Sequence, residues 1–115
     1  MNVVTISGRI GKAPEPKTTP SGVNAALFSI AVDRKDKQGN KVTDWFNCTA
    51  YGKTAEFVLG YFKSGSGIEV VGSLQTRSWV KEDGQKASAT LIMVDRVSFP
   101  VSTKQDKPND MPFEV

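Results

Sequence analysis

The sequence predicts an all-β domain in which five strands close into a small barrel and one short helix stands between the third and fourth. Three observations predict it. Five stretches alternate apolar and polar residues with period two, one stretch between them switches to helical period, and turn residues punctuate the boundaries. At 115 residues the chain suits one domain with a single modest core, and its 38% hydrophobic content fits a globular protein.

The first strand runs from Val3 to Ile10, with Val4, Ile6, Gly8 and Ile10 on the inner face. Gly11 to Gly22 carries Pro14, Pro16 and Pro20, which bar a helix, and reads as a loop. Ala26 to Asp33 is the second strand, facing inward through Ala26, Phe28, Ile30 and Val32. A polar connection, Lys35 to Lys41, turns at Gly39-Asn40. The third strand, Asp44 to Tyr51, places Phe46, Cys48 and Ala50 on the core side. Trp45, Asn47, Thr49 and Tyr51 then share the wet side. In Lys53 to Phe62, Ala55, Val58, Leu59 and Phe62 form an amphipathic stripe, with Thr54 as expected N-cap and Ser64-Gly65 as the stop. Alternation returns from Ile68 to Gln75, with Ile68, Val70, Gly72 and Leu74 at core positions. It continues through Trp79 to a turn near Glu82-Asp83-Gly84, and the last strand is Ala87 to Val97. Five such strands closed into a small barrel, with the helix plugging one end, constitute an OB-fold. An open sheet covered by one helix is the alternative, and five one-sided strands favour closure.

The barrel domain is expected over residues 1–100, with 101–115 a flexible tail. That tail ends in the apolar cluster Met111-Pro112-Phe113-Glu114-Val115, read as either a fraying end or a docking peptide. No apolar run approaches the roughly 20 residues that span a bilayer. No secretory leader opens the sequence, so a cytoplasmic location without membrane contact is expected. Cys48 is the only cysteine, so no intrachain disulfide forms; on the core face without a base beside it, it reads as inert filling. Its sequon, Asn47-Cys48-Thr49, lies mid-strand and is read as chance.

The absence of histidine removes the commonest general base and metal ligand. No carboxylates are paired by spacing, and neither Gly8-Arg9-Ile10-Gly11-Lys12 nor Ser64-Gly65-Ser66-Gly67 has the spacing of a phosphate loop; both read as turns. A non-enzyme with no cofactor and no metal is the expectation. The net charge is +3, with 13 basic and 9 acidic residues up to Pro100 against 2 and 3 beyond it. A basic body with a slightly acidic tail suits a polyanion partner.

The aromatic pattern sharpens that reading. Trp45 and Tyr51 stand on a polar strand face, and Trp79 shares its side of the fourth strand with Gln75 and Arg77. Burial alone would place these rings inward. Flat rings interleaved with cations match single-stranded nucleic acid, in which bases stack on the rings while cations follow the phosphates. Trp45, Tyr51 and Trp79 are therefore the candidate stacking residues. Arg34, Lys35, Lys37, Lys41, Lys53, Arg77, Lys81 and Lys86 are the candidate phosphate contacts. The competing readings are a protein-interaction module using the same aromatic face, and an RNA- or oligosaccharide-binding OB domain.

Five segments in order carry a resemblance: V-x-x-S-G-R-I-G, P-E-P-K-T-T-P-S-G, F-S-I-A-V-D-R, D-W-F-N-C-T-A-Y-G-K-T-A-E and G-S-L-Q-T-R-S-W. Through them the chain resembles the bacterial and bacteriophage single-stranded DNA-binding proteins. The resemblance implies an OB-fold, a homotetramer, and protection of single-stranded DNA in replication, recombination and repair. It also implies stacking by Trp45, Tyr51 and Trp79. Three departures stand out. Lys35-Asp36 occupies the place of a further tryptophan, and the linker to the tail tip is short. Asp110, Met111, Pro112 and Phe113 resemble the tip that docks replication and repair enzymes, yet Glu114 and Val115 follow it.

Overall fold

The computed structural model describes residues 1–100. Six strands and one helix follow in the order β1 (Val4–Ile10), β2 (Glu15–Thr18), β3 (Asn24–Lys35), β4 (Lys41–Tyr51), α1 (Gly52–Tyr61), β5 (Gly67–Val80) and β6 (Lys86–Ser98). The expected tail tip, Asp110 to Phe113, lies outside the described residues.

The five expected strands close on themselves. β1 pairs antiparallel with β5, β5 with β6, and β4 with β3, while β4 and β6 run parallel through Cys48–Ile92 and Thr49–Met93. Pairing of Arg9 with Ala31 and Ile10 with Ile30 joins β1 back to β3 and shuts the barrel. The architecture is the OB-fold.

One-sided burial explains the closure. Ile10, Phe28, Ile30, Cys48, Ala50, Ile68, Val70 and Ile92 are all buried in one cluster, which α1 completes with Ala55, Val58 and Phe62. Full burial of one such aliphatic side chain contributes about 1.5–3 kcal/mol. Cys48 is core filling as expected; burial pushes its thiol up to about 12, which keeps it protonated and unreactive.

Three expectations are corrected. The proline-rich loop contains β2, which pairs with β3 from Glu15–Leu27 to Thr18–Asn24. All four residues of β2 are exposed, so no burial alternation marks it. Pro16 is tolerated there because β2 is the free edge of the sheet. The helix begins at Gly52 with Tyr51 as its extended N-cap and no side-chain cap, ahead of Thr54. Leu74, expected inside, is 46% exposed. The register slips at Val71/Gly72, and beyond Ser73 the β5–β6 hairpin leaves the barrel as an arm whose β5 residues are exposed from Leu74 to Val80.

At the far end of α1, Phe57, Tyr61, Phe62 and Phe99 form an aromatic cluster in which the Phe62 and Phe99 rings stack at 4.8 Å. Among the described residues, no helix is long and apolar enough to cross a membrane.

Candidate nucleic-acid interface

The outer faces of β3 and β4 form the floor of a groove, and the β5–β6 arm forms its wall. Antiparallel register sets Leu27 beside Thr49, Ser29 beside Asn47, and Ala31 beside Trp45 on the floor. Ala89 and Leu91 of β6 approach from the arm. One hollow is lined by Lys12, Ala13, Ser29 and Asn47; a second, by Lys17, Thr18, Tyr51 and Arg77. Leu27 and Thr49 border both, so the two hollows adjoin. Thr49 lies on the expected face but is buried where β4 pairs with β6 through Thr49–Met93.

Trp45 is 61% and Trp79 49% exposed, whereas Tyr51 is half-buried against the groove. The structure thus brings Tyr51 and Arg77 together. It sets Trp45 at the start of the floor and Trp79 farther out along the arm, beside its register partner Ala87. Lys81 and Lys86 lie at the arm tip, where the Lys81 N–H donates to the Gln85 carbonyl to close the turn.

The cations of the β3–β4 hairpin divide into two kinds. Lys35 and Lys37 are exposed. Arg34 is held by Asp44, its Nε donating to Oδ2 at 2.7 Å, which raises the guanidinium pKa further. Lys41 and Arg9 lie 3.4 and 3.0 Å from Asp33, which also accepts a hydrogen bond from Thr43 Oγ1 at 2.7 Å. Lys53, in the first turn of α1, borders a separate hollow with Asp95 and Arg96.

These acid–base pairs give two expected outcomes. Asp44→Asn frees Arg34, so affinity for oligo(dT) should rise at low salt. The slope of log K against log salt should steepen by about 0.7, one added phosphate contact on a single strand. An unchanged slope in a salt titration would show that Arg34 does not reach phosphate. Asp33 is pulled down to about 2, first by the Thr43 hydrogen bond and then by Arg9. Because its folded pKa lies below the unfolded value of about 3.9, its contribution is complete above that value and disappears as pH falls towards 2. Acid unfolding of Asp33→Asn should therefore differ from the parent above about pH 4 and converge with it near pH 2. Parallel curves throughout would show that the charge of Asp33 is not what matters.

Comparison with known proteins shows the family of the chain. The single-strand binding protein family model matches residues 1–100. The chain belongs to the single-strand binding protein family. It is 40% identical over 101 residues to the single-stranded DNA-binding protein of Bacillus cereus, covering 86% of this chain and 59% of that protein. It is 38% identical over 101 residues to single-stranded DNA-binding protein 1 of Staphylococcus aureus, covering 86% of this chain and 60% of that protein. The chain therefore spans about three-fifths of the length of these relatives. Among solved structures, the Plasmodium falciparum SSB complex with ssDNA is similar at a TM-score of 0.78 and 27% identity, over 88% of this chain and 96% of that one.

Sequence reasoning missed two residues. Lys17 was hidden by the flanking prolines, although its place between Pro16 and Thr18 on an edge strand sets it beside Tyr51 and Arg77. Gly11 read as a simple turn, yet a Cβ there would stand 2.5 Å from Trp45 Cζ3. Nothing local in the sequence signals that contact.

Proposed function

We propose that this chain binds single-stranded DNA without regard to base sequence and shields it during replication, recombination and repair. The observation that carries the reading is a pair of adjoining hollows along β3 and β4, the second lined by Tyr51 and Arg77, with two exposed indoles on the bordering strands. Bases stack on Trp45, Tyr51 and Trp79, while Arg77, Lys17, Lys35, Lys37, Lys81 and Lys86 neutralise phosphates. Tyr51 and Arg77 act as a pair: the ring offers a stacking face and the guanidinium meets the adjoining phosphate. Stacking is tolerant of sequence because every base has a π-face. Arg34 and Lys41 take part once their carboxylate partners yield. Lys53 adds charge at the margin.

The protein acts by occupancy and not by catalysis, in the cytoplasm, as a homo-oligomer with four chains the favoured number. The segment Asp110 to Phe113 docks replication or repair enzymes through the Phe113 ring. Support for these assignments comes from membership in the family together with the charge and aromatic pattern.

The test is titration with oligo(dT) at two salt concentrations, following tryptophan fluorescence and measuring the mass of the complex. Quenching that saturates, with weaker binding at higher salt, is the expected result. Absence of quenching, or binding indifferent to salt, overturns the reading. Competition by poly(U) as effective as poly(dT) would reassign the ligand to RNA.

A further inference from the structure

We propose that Gly11 is a positioning residue that seats the Trp45 indole so that one ring face stays bare for a base. The inference rests on the stacking role given to Trp45 and adds what holds the ring ready. A Cβ at position 11 would stand 2.5 Å from Trp45 Cζ3, 3.3 Å from Cη2 and 3.0 Å from Ser29 Oγ. The benzo ring of Trp45 therefore occupies the space a side chain would need. Gly11 is not among the residues with positive φ, so its backbone is open to any L-residue. The demand for glycine here comes from the ring.

The seat is itself pinned from two sides. The Gly11 N–H donates to the Ser29 carbonyl at 3.0 Å, which ties it to β3. The Ser64 hydroxyl donates to the Gly11 carbonyl at 2.6 Å, and the Gly65 N–H donates to the Ile10 carbonyl at 2.8 Å. The turn after α1 thus clamps the Ile10–Gly11 backbone against β3. A ring resting on a fixed backbone surface loses little further freedom when a base stacks on its open side. That is how preorganisation converts contact into affinity.

The protein has two tryptophans, so Trp79→Phe leaves Trp45 as the sole indole. In that background, Gly11→Ala should displace the ring. The free protein is expected to show altered emission and greater quenching of Trp45 by acrylamide, with its far-UV circular dichroism unchanged. Unaltered emission and quenching overturn the proposal. Affinity for oligo(dT) should fall about tenfold when Trp45 is present, within the range for one lost base stack. When Trp45 is already alanine, Gly11→Ala should cost less than about twofold. Equal losses in the two backgrounds also overturn the proposal. If Trp45→Ala alone leaves affinity unchanged, the stacking role fails, and the free-protein emission still decides whether Gly11 seats the ring. Ser64→Ala provides a milder variant should Gly11→Ala not fold. It should raise the mobility of Trp45 in time-resolved anisotropy, and an unchanged decay counts against the seat.

Discussion

Replacing Trp45 and Trp79 together by alanine is expected to lower affinity for oligo(dT) by about 2–6 kcal/mol, the sum of two base stacks worth about 1–3 kcal/mol each. The two indoles have separate surroundings. Trp45 packs by Gly11 and opposite Ala31 at the start of the groove floor, and Trp79 stands beside Ala87 on the projecting arm. Effects of sites without shared partners add to within about 0.5 kcal/mol, so the double variant should lose the sum of the two single losses. Both rings are largely outside the core, so urea melts of the variants should coincide with that of the parent. Fluorescence-independent titration, such as calorimetry, is the proper measurement because the variant has no indole left. A double variant that binds as tightly as the parent would remove stacking from the account. A destabilised fold would instead mark the rings as structural.

The second large effect concerns the barrel. Ile30→Ala should reduce stability by about 2–5 kcal/mol, the usual cost of truncating a fully buried aliphatic side chain. Ile30 has no exposed surface, pairs with Ile10 where β1 closes the barrel, and pairs with Phe46 of β4 on its other side. A cavity there loosens three strands at once. Total stability of a domain this size is about 5–15 kcal/mol, so the variant should unfold at clearly lower urea. Ser29 and Ala31, its neighbours on β3, lie on the opposite face of the strand, and Ser29 borders the groove. Binding by the variant should therefore weaken as temperature approaches its lowered melting point. A midpoint unchanged in urea would mean that the closure does not depend on this contact.

Much of this architecture is legible in the sequence because a closed barrel buries one face of each strand. Ile68, Val70 and Gly72 alternate with Glu69, Val71 and Ser73, and burial follows that alternation. The rule fails at Leu74 for a physical reason: the strand continues while the barrel does not. Both faces of the arm then meet solvent, and alternation no longer separates inside from outside. β2 escaped notice for a related reason, since a short edge strand with every side chain exposed has no apolar face to display.

The candidate interface divides in the same way. Trp45 and Tyr51 stand out because large rings on a polar strand face conflict with simple burial. The capture of Arg34 by Asp44 depends on two strands meeting across the β3–β4 ladder, where Arg34 is opposite Val42 and Asp44 opposite Val32. Charge counts cannot tell such a paired arginine from an available one. Gly11 is harder still, because its partner ring lies on another strand and is brought over it only by the barrel's closure.

The arm that carries Arg77 and Trp79 has a consequence for exchange of its amide hydrogens. Its ladder runs from Gln75–Leu91 to Val80–Lys86 without a buried side chain on the β5 side. Such segments open locally at a small fraction of the global unfolding free energy. Protection should therefore decline from Leu74 outward to the Gly84 turn while Val70 and Ile92 exchange only on global opening. A strand of DNA lying against the arm would slow exchange there first, making the hairpin a residue-by-residue recorder of occupancy.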